Sequence, residues 1–204
     1  MPAANYTQSV NASGANQAVQ PQLSDIQGGT LVSEFWPRYY QAAYQKKVFA
    51  AVAAGVTSTV GLATTYTGLC VTNPIGSTVN LVMMKVGLAQ SVINAAVNAA
   101  GFGFGFSATT AVTQTTPVTT QSCFANSITK SAALAASAVT LPAAPVYAGF
   151  FNSTPTATTN FNGVIADLEG SIVIPPGGYF VTLTAAASPA AALWLSAQWL
   201  ELPV

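Results

Sequence analysis

Short apolar runs set between turn-forming residues mark the last third of the chain. Ile172, Val173 and Ile174 are β-branched and suit a pleated, buried surface. Pro175 and Pro176 end that run, because proline has no N–H to give to a ladder. Gly177 and Gly178 can take the positive φ of a sharp reversal. Residues 179–183 then resume an extended run, and residues 193–200 supply another. Strand, tight turn and strand in succession predict an antiparallel β-sandwich.

The same punctuation recurs upstream. Residues 48–54 and 56–63 read as two short strands around Gly55. Residues 66–72 read as a strand closed by the turn Asn73-Pro74-Ile75-Gly76-Ser77. Residues 78–90 form a long alternating strand. Its period puts Val82, Met84, Val86 and Leu88 on one face and Leu81, Met83 and Lys85 on the other. In residues 91–100, Val92, Ala95, Ala96 and Ala99 have helical spacing, and alanine favours helix. The neighbouring elements favour strand and loop there.

Gly101 to Phe106 alternates Gly and Phe. A strand would send every Phe to one face and every Gly to the other, and the bare face would admit another backbone or sheet at close range. The spacing and following helix of a phosphate-binding loop are missing. Residues 108–121, rich in Thr around Pro117, read as exposed strands and loops. Residues 122–128, 132–141 and 146–151 read as further strands, 152–162 as a polar loop, and 163–168 as the lead into the run at Ile172. The pattern amounts to about eight to ten short strands, as in a sandwich or barrel.

Composition changes the picture outside the core. Of 204 residues, 51% are hydrophobic and only 5% charged, with net charge zero. Soluble domains carry about 25% charged residues. A neutral, charge-poor surface is prone to associate, so much of this surface is expected to lie against other subunits. Steering toward nucleic acid or an acidic membrane surface is not indicated. A spanning helix is not indicated either, since the most apolar stretch, 86–112, is broken by Gln90, Asn94, Asn98 and glycines. The opening residues lack the charged and apolar regions of a signal peptide, which argues against an exported barrel.

Residues 1–30 are rich in Asn, Gln, Ala and Ser and have no apolar period, so they cannot fold alone. The expected layout is an extended arm over residues 1–44 and a β-sandwich over 45–204, with a disordered tail as the alternative reading of residues 1–30. The arm ends in an aromatic cluster, Phe35, Trp36, Tyr39, Tyr40 and Tyr44, whose contact area suits it to anchor on a partner's surface or on the protein's own sheet. Arg38, Lys46 and Lys47 lie nearby. Aromatics interleaved with cations can bind single-stranded nucleic acid, but three cations make no basic field.

Candidate chemistry is sparse. There is no histidine, the commonest general base and metal ligand. Asp167 and Glu169 lie two apart and would share a strand face. Paired carboxylates can serve glycoside hydrolysis or hold a hard cation, or can simply form a solvated strand end before Gly170. No catalytic, cofactor-binding or metal-binding residue is assigned. Cys70 and Cys123 read as small buried hydrophobes in a reducing cytoplasm, with a bridge left open. Asn5, Asn11 and Asn152 open glycosylation triplets, which mean nothing without secretion.

Several stretches together resemble a known group. Phe49 opens a strand; Gly68-Leu69-Cys70-Val71-Thr72 runs into the Asn73–Ser77 turn; the long strand follows from Asn80. Leu168-Glu169-Gly170-Ser171-Ile172-Val173-Ile174-Pro175-Pro176-Gly177-Gly178-Tyr179 comes next, and the chain closes on Trp199-Leu200-Glu201-Leu202-Pro203. Over residues 46–204 this resembles the jelly-roll structural proteins of tailed bacteriophages, which include capsid-decorating (cement) and tail-associated members. The resemblance implies a jelly-roll β-sandwich and no catalytic residues. It implies a virion protein assembled in the host cytoplasm, with the major capsid protein as partner. The expected function is a capsid cement protein, self-associated as a trimer, that bridges neighbouring capsid subunits. The alternatives are a tail-fibre or receptor-binding component, whose candidate surface is the 152–162 loop, and a hydrolase using Asp167 and Glu169.

Overall fold

The computed structural model of the chain describes residues 39–58, 63–92, 98–154, 163–185, 188 and 192–204. Gln41–Val204 form one compact unit, and its described residues are all-β apart from a five-residue helix, α1 (Tyr40–Tyr44). Eleven strands follow: β1 (Val48–Val56), β2 (Thr65–Thr72), β3 (Val79–Gln90), β4 (Asn98–Phe106), β5 (Thr113–Val118), β6 (Thr120–Ser122), β7 (Leu134–Thr140), β8 (Val146–Thr154), β9 (Gly163–Ile174), β10 (Gly178–Thr184) and β11 (Leu193–Pro203).

The strands form two antiparallel sheets packed as a sandwich. One has the order β6-β1-β11-β3-β9 and the other β5-β7-β2-β10-β4-β8. The pairing is nested. β1 pairs with β11, β2 with β10, β3 with β9 and β4 with β8. Residues 107–145 interrupt this nest and add β5 and β7 beside β2, and β6 beside β1.

Alternation decides which side chains enter the core. On β11, Leu193, Leu195, Ala197 and Trp199 point between the sheets, and Trp194, Ser196 and Gln198 point away. Phe49 and Trp199 fill the middle of the layer, and Phe102 stacks on Phe180 at 5.7 Å. Asn73 is buried and ties two connections together. Its Nδ2 donates to the Val79 carbonyl (2.8 Å) and the Ile174 carbonyl (3.0 Å), and its backbone N–H donates to Gly178 O (2.9 Å). The Asn73–Ser77 turn is thereby fixed to the Pro175–Gly178 reversal.

A second apolar cluster covers the outer face of the six-stranded sheet. β7 and β8 lie four places apart in that sheet, so residues 141–145 must pass over β2, β10 and β4. Leu141 packs with Tyr66, Cys70, Tyr179, Val181 and Leu183, and the Tyr179 hydroxyl donates to Ala143 O at 2.7 Å. Tyr66 is fully buried; its hydroxyl donates to the backbone carbonyls of Thr182 and Leu69, and burial pushes its pKa up.

Several expectations are corrected by this arrangement. Residues 48–56 are one strand, and Gly55, at φ 63°, marks a register shift within it; residues 59–62 lie outside the described residues. On β3 the expected faces hold only in part. β3 pairs skip Met84 against both neighbours, Met83 to Lys85 on β9 and the matching step on β11. That extra residue resets the alternation, so Leu81 and Met83 share the core face with Val86 and Leu88. Residues 123–128 form turns, with Asn126 at φ 62° and Ser122 Oγ accepting from the Phe124 N–H. The Pro175–Gly178 turn reverses the chain between the two sheets and makes no hairpin, since β9 and β10 belong to different sheets.

The Gly–Phe strand behaves partly as its pattern implies. Phe102 enters the core, while Phe104 and Phe106 run past it and are 41% and 56% exposed. The bare face is approached closely. A Cβ at Gly105 would lie 2.2 Å from the Tyr179 hydroxyl, and one at Gly103 2.4 Å from Val146 O.

Candidate functional site

Among the described residues, the outer face of the five-stranded sheet carries an exposed apolar surface, and its relief follows from register. Val52, Ser196, Gly87 and Ile165 lie in one row across β1, β11, β3 and β9. The next row runs Trp194, Ala89 and Gly163. On the other side comes the polar row Gln198, Lys85 and Asp167. Small residues occupy the middle and large ones the flanks. Val52 is 53% exposed, Trp194 50% and Ile165 74%. The result is a trough of about 370 Å³, floored by Gly87 and Ala89 and walled by Trp194, Val52 and Ile165. A Cβ at Gly87 would lie 2.5 Å from Ser196 Oγ, so a side chain there would need that hydroxyl to turn aside.

Such a trough presents an apolar face to solvent and offers little to bond a polar ligand. Its polar border holds one cation and one anion, Lys85 and Asp167, as direct cross-strand partners. An exposed tryptophan beside a hollow is the usual form of an interaction anchor. A second apolar group, Phe104, Phe106, Val146 and Phe150, is exposed on β4 and β8.

No protein-family model, curated protein or solved structure matches the chain. A role must therefore be read from these surfaces and from the wiring that presents them.

Of the aromatic anchor, Phe35 and Trp36 lie outside the described residues. Tyr39 and Tyr40 stand at the start of α1, and Tyr44 at its end. Tyr44 is 59% exposed and meets Phe124 edge-on at 6.1 Å, and Lys46 Nζ lies 5.6 Å from the same ring. Tyr44 thus has a seat on the connection after β6.

The carboxylates do not form the expected pair on one strand face. Glu169 sits at φ 51° and Gly170 at φ 78°, within a register shift of β9, so the alternation that would align Asp167 with Glu169 is broken. Asp167 Oδ1 instead accepts the Glu169 backbone N–H at 3.0 Å. Among the described residues no group of three or more His, Cys, Asp or Glu gathers to hold a metal. Both cysteines are free. Cys70 is buried, which pushes its thiol up to about 12 against an opposing contact from the Thr72 hydroxyl. Cys123 is exposed, in contrast to its expected burial. Among the described residues no helix is long and apolar enough to cross a membrane.

Two residues escaped the sequence reading. Trp194 is the one large apolar residue on the outward side of β11 before Leu200, and the strict alternation of residues 193–199 carried that signal. Glu201 accepts hydrogen bonds from Ser131 Oγ, from the Ala132 N–H (3.0 Å) and from Trp199 Nε1 (3.3 Å). No local pattern marks a partner 70 residues away.

Proposed function

We propose that the chain is a virion structural protein of jelly-roll type, most specifically a capsid decoration (cement) protein of a tailed bacteriophage. The observation that carries this is the nested pairing of β1 with β11, β2 with β10, β3 with β9 and β4 with β8 across two sheets. Such nesting is what a long antiparallel hairpin gives when it rolls into a barrel, and jelly rolls recur in viral capsid and lectin domains. The low charge and the exposed apolar surfaces support a subunit that works by being packed against.

The mechanism is passive. The sandwich supplies a rigid body, its apolar faces lie against neighbouring copies and against the major capsid protein, and the arm reaches an adjacent capsomer. Many modest contacts on a repeating lattice add up to firm attachment. Fold alone does not fix a role, so the reading is tested on particles. Purified virions are expected to carry the chain over the whole head at a fixed ratio to the major capsid subunit. Deleting residues 1–34 is expected to lower that ratio. A label confined to one vertex would move the protein to the tail, and absence from particles would remove the reading.

A further inference from the structure

The outer face of the five-stranded sheet carries a matching relation along its β3–β9 border. Ile165, the most exposed large apolar residue of that border at 74%, lies directly across from Gly87, on the floor of the trough. One row on, Asp167 lies across from Lys85. On the other side Gly163 lies across from Ala89, both small. Each row therefore pairs a projection with a recess, an anion with a cation, or two small residues.

We infer that this face joins two copies of the chain about a twofold axis that runs along the strands between β3 and β9. Such an axis lays β9 of each copy over β3 of the other. Ile165 then seats on the partner's Gly87, Asp167 meets the partner's Lys85, and Gly163 meets the partner's Ala89. Each contact occurs twice, as an isologous interface requires. Trp194 and Val52 stand on the far side of the seat and flank the incoming edge strand.

Charge favours a second copy over an unrelated occupant. The border rows described above carry one cation and one anion, already neighbours, and only a twofold through their midpoint sets each against its opposite. The inference rests on the reading of the chain as an assembly subunit. It concerns one sheet face alone.

The test is made on the isolated full-length chain. Sedimentation at high micromolar concentration is expected to give an even multiple of 20.7 kDa. Trp194→Ala is expected to weaken that association by about tenfold, as loss of a flanking aromatic contact does. Lys85→Asp and Asp167→Lys, each made alone, set like charges against each other twice and are expected to abolish it. In an equimolar mixture of those two variants, one copy is acidic at both positions and the other basic at both. Opposite charges then meet at each of the two contacts, so association is expected to return as a heterodimer. The double variant is expected to associate with itself. Circular dichroism confirms that each variant is folded. A wild-type chain that stays single, or folded charge variants that fail to associate when mixed, would overturn the inference. Chain found on virions without this pairing sinks the inference alone. Pairing in a chain absent from virions sinks the functional reading alone.

Discussion

Replacing Glu201 by Ala removes one acceptor and orphans three donors from two parts of the fold. Trp199 is fully buried, and its Nε1–H loses its contact at 3.3 Å. The hydroxyl of Ser131 and the N–H of Ala132 lose theirs at the start of β7. The latter groups are near solvent and can turn to water. The indole N–H is inside the layer, where an unpaired donor costs about 1–3 kcal/mol. Adding the loss of charge-assisted bonds at the exposed end gives a total of about 2–4 kcal/mol. For a chain of this size that lowers the thermal midpoint by roughly 4–16 °C. Glu201→Gln keeps a carbonyl acceptor and is expected to cost about 1 kcal/mol. Urea unfolding followed by tryptophan fluorescence reads the change as a shift in midpoint at constant slope. Limited trypsin digestion gives a local readout, because Lys130 is exposed and adjoins the tethered Ser131. Cleavage after Lys130 is expected to speed up in Glu201→Ala. An unchanged midpoint together with unchanged cleavage would refute the clamp.

Gly105→Ala places a Cβ 2.2 Å from the Tyr179 hydroxyl and 2.3 Å from its ring carbon, in a side chain that is itself buried. The expected loss is about 2–3 kcal/mol in denaturant titration, while Gly163→Ala, whose Cβ would find only Ala89 at 3.9 Å, should leave the midpoint in place. Native protein at neutral pH should give up one thiol of two to a disulfide reagent, that of Cys123, with Cys70 following only on unfolding. Alkali should destabilise the fold in a defined window. Below about pH 9 Cys70 is protonated in both states; between there and about 12 the unfolded chain loses a proton that the folded chain keeps, so stability falls as pH rises, by at most about 1.4 kcal/mol per pH unit. Tyr66, also raised by burial, adds to the loss above about pH 10. Cys70→Ala should flatten the earlier part of the slope, and an identical slope in that variant would refute the assignment.

The legible parts of the fold are those where one local rule acts alone. The Asn73–Ser77 turn and the Pro175–Gly178 reversal are written in residues whose backbone preferences need no partner. The alternation of β11 survives intact because one side of the strand meets the core and the other does not. β3 fails the same test for a physical reason. Its period is broken by one extra residue at Met84, and a bulge has no sequence mark when the residues around it are all apolar. Asp167 and Glu169 fail likewise, since spacing by two implies a shared face only where the ladder is regular, and Glu169 stands where it is not. The cover over the six-stranded sheet was illegible for another reason. Leu141 and Ala143 acquire their role from the strand order, which places β7 and β8 at opposite sides of β2, β10 and β4. The outer trough combines both cases. Its wall at Trp194 follows from alternation, but its floor at Gly87 and its opposite wall at Ile165 meet only through pairing between strands some 75 residues apart. A surface made of such long-range rows cannot be read from any single stretch, which is why the chain's scarcity of charge raises the expectation of a covered face without indicating which one.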